Sequence, residues 1–90
     1  MPDRAVQPDE IRSAARDYIL AEFLPGEDPA ALTNDTSLIG GGILDSIATV
    51  KLVSFLEERF GVRFEAHEVG VDYLETIDRI VETVGRKLGG

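Results

Sequence analysis

Residues 25–45, PGEDPAALTNDTSLIGGGILD, constrain the fold more than any other part of the chain. Pro25, Pro29 and four glycines deny this segment a regular helix or strand, because proline lacks an amide donor and glycine loses the most backbone freedom on ordering. Yet it carries Leu32, Leu38, Ile39, Ile43 and Leu44, which have to lie on a core to be tolerated. A 21-residue connection is long for a compact domain, and connections beyond ~12–15 residues are uncommon and often functional. The segment therefore reads as a long loop that packs and that frames a site.

The flanks read as helices. From Asp9 to Leu24 the apolar residues Ile11, Ala14, Ala15, Tyr18, Ile19, Phe23 and Leu24 recur every three or four positions, Asp9 and Glu10 suit the positive end of the helix dipole, and Pro25-Gly26 is a stop. A second helix starts at Asp45-Ser46, either of which can cap it, and runs to Phe60 before Gly61. On this helix Ala48, Leu52, Val53, Phe55, Leu56 and Phe60 share the core side, while Ile47, Lys51, Ser54, Glu57 and Glu58 share the other with Val50 at the border. Ile47 and Val50 thus form a small exposed apolar patch that invites a partner. Val62-Arg63-Phe64 has no second strand to pair with and reads as a linker. Ala66–Leu74 allows one or two helical turns, and Thr76 caps a last helix whose stripe is Ile77, Ile80, Val81, Val84 and Leu88. Arg86 and Lys87 complement the end of that helix, and Gly89-Gly90 closes it. The expected fold is all-α, a four-helix bundle of three long helices and one short, with the loop between helices one and two. Residues 1–8 are expected to be a flexible tail and residues 9–88 the folded domain.

The chain of 90 residues has room for one domain and a small core, which disfavours a deep substrate cleft and hence an enzyme. Its net charge of −8 disfavours nucleic acid and anionic membrane surfaces. No apolar run reaches the ~18 residues of a membrane span, and the first 20 residues show no signal peptide, so a cytoplasmic protein is expected. There is no cysteine and one histidine, His67, so a thiolate or multi-histidine metal site is not expected and any sulfur chemistry must be imported.

The segment Gly40-Gly41-Gly42-Ile43-Leu44-Asp45-Ser46-Ile47 puts a hydroxyl at the mouth of a helix. First-turn N–H groups lack intrahelical partners and the dipole adds positive potential, so a phosphate carried on Ser46 would be electrostatically welcome there. On the dipeptide alone, Asp45-Ser46 reads as a simple helix cap, and it is the surrounding sequence that favours a modified serine. The triple glycine lacks the following Gly-Lys-Ser/Thr of a nucleotide loop. Asp28, Asn34, Asp35 and Asp45 lack calcium-loop spacing and read as turn formers. Nothing around His67 suggests a catalytic triad with Ser46, so His67 reads as solvated.

The string LIGGGILDSIATVKLVSFLEERFGV resembles the signature of the acyl carrier protein family, which includes peptidyl and D-alanyl carriers, and FEAHEVGVDYLETIDRIVETV extends the resemblance to nearly the whole chain. The resemblance implies that residues 9–88 are a carrier domain. It also implies that a phosphopantetheinyl transferase moves 4′-phosphopantetheine from coenzyme A onto Ser46 as a phosphodiester, giving an arm whose thiol holds an acyl or aminoacyl group as a thioester. In that family Asp45 would help place the serine and the transferase's metal, Leu44 would anchor the loop, and Ile47, with Val50, Lys51 and Ser54, would meet partners. A loading ligase and downstream acyl-transfer enzymes are the further partners implied, acting on a monomer. One departure concerns fatty acid synthesis, whose carriers usually have a strongly acidic second helix. Here Lys51 and Arg59 balance Glu57 and Glu58, and the acidity lies in residues 1–45, with nine acidic against three basic side chains. A dedicated pathway loaded by an adenylating ligase fits at least as well. Phe55, Phe60 and Phe64 read as core filling rather than the lining of a chain-sequestering cavity. The alternative from another class is a small acidic helical interaction module without a prosthetic group.

Overall fold

The computed structural model describes residues 6–89. Most of the expected tail, residues 1–5, and the final Gly90 lie outside the described residues. Helix α1 spans Pro8–Phe23, one residue earlier at each end than its periodicity suggests. Pro8 stands at its first position, where a fixed φ suits the helix and the missing N–H costs nothing. Its buried stripe is Ile11, Ala15 and Ile19, one residue per turn.

The loop that follows contains a single 3₁₀ turn, Pro29–Ala31, capped by Asp28, whose Oδ1 accepts from the Ala30 N–H at 3.0 Å. The Arg16 guanidinium donates to the carbonyls of Pro29 and Leu32, which binds this half of the loop to α1. Leu32, Leu38 and Leu44 are buried, so the loop contributes directly to the core as its composition requires.

Helix α2 spans Ser46–Phe60 and ends at Gly61, which takes the left-handed conformation at φ +68° and returns its N–H to the Glu57 carbonyl. Ala48, Thr49, Leu52, Val53 and Leu56 are buried. Phe55 and Phe60, expected in the core, are only half-buried. The reason is visible for Phe55, which stacks on Tyr18 of α1 with ring centres 4.3 Å apart, while Phe23 meets Tyr18 edge-on. The aromatic layer thus seals the α1–α2 seam at its edge instead of filling the centre.

Residues 62–64 form no strand, and the Phe64 N–H donates to Glu57 while its ring is buried. A 3₁₀ turn over Ala66–Glu68 precedes the one-turn helix α3, Val71–Leu74. Helix α4 spans Ile77–Gly89, with Thr76 Oγ1 accepting from the Arg79 N–H at its start. Ile77, Ile80, Val81 and Val84 are buried, but Leu88 is 37% exposed, so the apolar stripe ends a turn before the helix does. Gly89 is still helical, contrary to the expected stop. The described residues form an all-α bundle of three long helices and one short, its core built from Ile11, Ile19, Leu52, Leu56, Leu74, Ile77, Ile80 and Val84. Among them no helix is long and apolar enough to cross a membrane.

Candidate functional site

The loop before α2 is closed on itself. The Leu44 N–H donates to the Leu38 carbonyl at 2.9 Å, and the Gly42 N–H to Ile39 at 3.1 Å, so residues 38–44 leave the core and return to it at adjacent points. Two of the three glycines are required by this path. A Cβ on Gly41 would press into the Ser37 carbonyl, and Gly42 has φ +85°, which side chains rarely adopt. Leu44, which the sequence reading makes the anchor of the loop, is 2% exposed.

Asp45 is the N-cap of α2: its Oδ1 accepts from the Ala48 N–H at 2.8 Å and its carbonyl from the Thr49 N–H at 2.9 Å. Thr49, a residue the apolar pattern passed over, is buried because its hydroxyl also donates to the Asp45 carbonyl at 2.7 Å. Ser46 is the first residue of the helix and is exposed. With the Ala48 amide taken by the cap, the Ser46 and Ile47 amides are the first-turn donors left without an intrahelical acceptor, at the positive end of the dipole. A serine-linked phosphate fits this position: it would meet exposed donors and solvent, with no buried charge.

An open groove of about 510 Å³ runs beside Ser46, floored by Ile39, Leu44 and Thr49 and walled by Val50 of α2 and Val69 and Val71 across from it. Ile47 is 70% exposed, Val50 57% and Val71 51%. Lys51 and Ser54 are also exposed on α2, so the four expected partner contacts share one accessible side of that helix. Val71 joins this patch from α3, a neighbour that nothing in the local pattern signals.

The second feature missing from the sequence reading is Glu75. From the α3–α4 junction its carboxylate accepts from the Ser37 hydroxyl and from the amides of Ile39 and Gly40, each at 3.0 Å, while its carbonyl accepts from the Leu38 N–H at 2.7 Å. These bonds, the Ser37 hydroxyl first, hold its carboxyl below the usual carboxylate range. The contact spans 38 residues of chain and has no periodic signature.

The remaining candidates disperse. Asp28 caps its 3₁₀ turn and Asp35 accepts from the Thr33 hydroxyl two residues away, as turn formers do, while the Asn34 carbonyl accepts from the Asp78 N–H at the start of α4. Exposed His67 meets Tyr73 edge-on and lines no part of the groove beside Ser46. Among the described residues no three His, Cys, Asp or Glu side chains group as metal ligands.

Compared with known families, residues 19–84 match the model described as "Phosphopantetheine attachment site". The chain belongs to this phosphopantetheine-attachment family. The match implies a covalently attached 4′-phosphopantetheine. The chain is also 44% identical over 50 residues to the D-alanyl carrier protein of Streptococcus sanguinis (strain SK36), and 38% identical over 50 residues to that of Streptococcus pyogenes serotype M5 (strain Manfredo). In both comparisons the match covers 56% of this chain and 63% of the relative's length. This member of the family is thus similar to D-alanyl carrier proteins over part of their length.

Proposed function

We propose that Ser46 is the attachment point and that residues 9–88 form the carrier domain, which holds a small aminoacyl or acyl group as a thioester for a dedicated biosynthetic pathway. The observation that carries this reading is the exposed Ser46 hydroxyl at the start of α2, beyond a loop closed on the core. When attached, the phosphopantetheine supplies the thiol that the cysteine-free chain lacks, and its thioester keeps the acyl group activated. The chain's own residues present the hydroxyl: Leu44 fixes the loop end, and Asp45 caps the helix and leaves one carboxylate oxygen for the metal of a phosphopantetheinyl transferase. Ile47, Val50, Lys51 and Ser54 form the side that meets the transferase, an adenylating ligase and downstream acyl-transfer enzymes.

The cargo favoured is an amino acid such as D-alanine. Two observations support it: the names of the similar proteins, and an α2 on which Lys51 and Arg59 offset Glu57 and Glu58. The protein is read as a cytoplasmic monomer. Incubation with coenzyme A and a broad-specificity transferase, followed by intact mass measurement, tests the attachment: one phosphopantetheine is gained by the wild type and none by Ser46→Ala. A wild type that stays bare while a control carrier is loaded leaves the interaction-module reading in its place. Adding ATP, D-alanine and a D-alanine-adenylating ligase to the loaded form then tests the cargo by a second mass gain.

A further inference from the structure

We infer that Glu75 is a positioning residue for the modification of Ser46, acting through the loop of residues 37–44. The inference rests on Ser46 being the attachment point. Glu75 lines no part of the groove beside Ser46 and belongs to a different segment from the partner-facing side of α2. It acts instead on the path that delivers the chain to Ser46. Three donors converge on its carboxylate: one hydroxyl, from Ser37, and two amides, from Ile39 and Gly40. The residue between them, Leu38, is bound to the Glu75 carbonyl and in turn accepts from Leu44, two residues before the serine. Side chain and backbone of one residue therefore hold four consecutive loop positions, 37–40, against the end of the bundle.

No other element of the fold supplies these contacts. Residues 39–43 have three glycines among them, no regular structure, and only half-buried side chains at Ile39 and Ile43. Their own cross-link is the Gly42–Ile39 turn. A carboxylate that accepts several amide bonds is well suited to such a stretch, since each bond to a charged acceptor is stronger than its neutral counterpart. Without it, the Ile39 and Gly40 amides turn to water and the glycine run samples other paths. Ile39 and Leu44, the floor beneath Ser46, then lose their common frame. Ile11, Ala15, Ile77, Ile80 and Val84, which join α1 to α4 in the core, make none of the hydrogen bonds to Glu75. A carrier whose competent loop shape is only fractionally populated binds its modifying enzyme more weakly by that fraction, whereas saturating carrier restores the turnover.

The test compares wild type, Glu75→Ala, Glu75→Gln and Ser37→Ala as substrates of a phosphopantetheinyl transferase with coenzyme A, alongside amide hydrogen exchange of each apo protein. Glutamine keeps an oxygen for the two amides and can donate to the Ser37 hydroxyl, so it is the conservative rescue. Expected for Glu75→Ala is a KM for the carrier raised on the order of tenfold with kcat little changed, and faster exchange at Ile39 and Gly40 but not at Ile80 and Val84. Glu75→Gln stays within about twofold of wild type, and Ser37→Ala shows a smaller rise in KM than Glu75→Ala. An unchanged KM in Glu75→Ala, equal impairment of the alanine and glutamine variants, or exchange that rises as much in α4 as in the loop each overturns the inference and leaves Ser46 as the attachment point. A wild type that gains no mass overturns both readings.

Discussion

Lys87 Nζ lies 2.5 Å from Glu68 Oε1 and 5.0 Å from the centre of the Phe64 ring, so one ammonium joins the last turn of α4 to the linker and to the 3₁₀ turn before α3. The same Glu68 oxygen accepts from the Glu65 N–H at 2.8 Å, which makes the turn's cap and the interhelical bridge one unit. Lys87 is thus more than the helix-end charge complement its position suggests.

Replacing Lys87 with methionine keeps the apolar stem over Phe64 and removes the charge. The expected outcome is a lower thermal midpoint than wild type, with a gap that narrows as salt is added because the bridge is screened. Melts followed by circular dichroism at low and high ionic strength measure this.

The Asp45 cap separates stability from chemistry. Asp45→Ala is expected to cost about 1 kcal/mol in urea unfolding through the lost Ala48 amide bond, and Asp45→Asn only a few tenths, because asparagine caps as well as aspartate. If the carboxylate also meets the transferase's metal, the asparagine variant folds like wild type and is loaded more slowly.

Gly42→Ala forces a side chain into a left-handed conformation and is expected to cost roughly 1–2 kcal/mol, with Gly42→Asn milder. Gly41→Ala costs more than Gly42→Ala, since its Cβ presses on the Ser37 carbonyl and backbone has to move. Equilibrium denaturation of the three variants ranks them.

Acid sensitivity is expected from two carboxyls. Glu75 is held below the ordinary carboxylate range chiefly by the Ser37 hydroxyl, and Glu68 chiefly by its hydrogen bond to Lys87. Groups lowered on folding contribute stability that is fully present above their unfolded value of about 4.3 and is lost as pH falls through the lowered folded value. The stability curve therefore declines below about pH 4, and Glu75→Gln, which cannot titrate, shows a shallower decline in urea midpoints measured across that range.

Ile47 is exposed and makes a clean surface probe. Ile47→Glu is expected to change stability by no more than about 0.5 kcal/mol, as surface substitutions do, while transfer by partner enzymes drops. Paired unfolding and loading assays separate the two effects.

Local signals carried much of this molecule. Helix α2 was legible to the residue because Asp45 and Gly61 punctuate it, and α4 began where Thr76 caps it. The packing of the long loop followed from its leucines, whose burial has no substitute in so small a core. Ser46, Asp45 and Leu44 were legible as neighbours in sequence. Phe55 and Leu88 were misjudged because periodicity reports which side of a helix a residue lies on, not whether another element reaches far enough to cover it. Glu75 and Val71 were invisible for a different reason: each meets the site through tertiary approach, and an exposed-looking glutamate in a turn has no pattern that announces three donors waiting for it.

With Ser46 as root, the tether leaves from the first residue of the same helix that displays Ile47, Val50, Lys51 and Ser54. An enzyme gripping that rod learns where the tether begins but nothing of what hangs from its tip. One handle would then serve every cargo, and the choice among cargoes would fall to the enzymes' own pockets at the tether's far end.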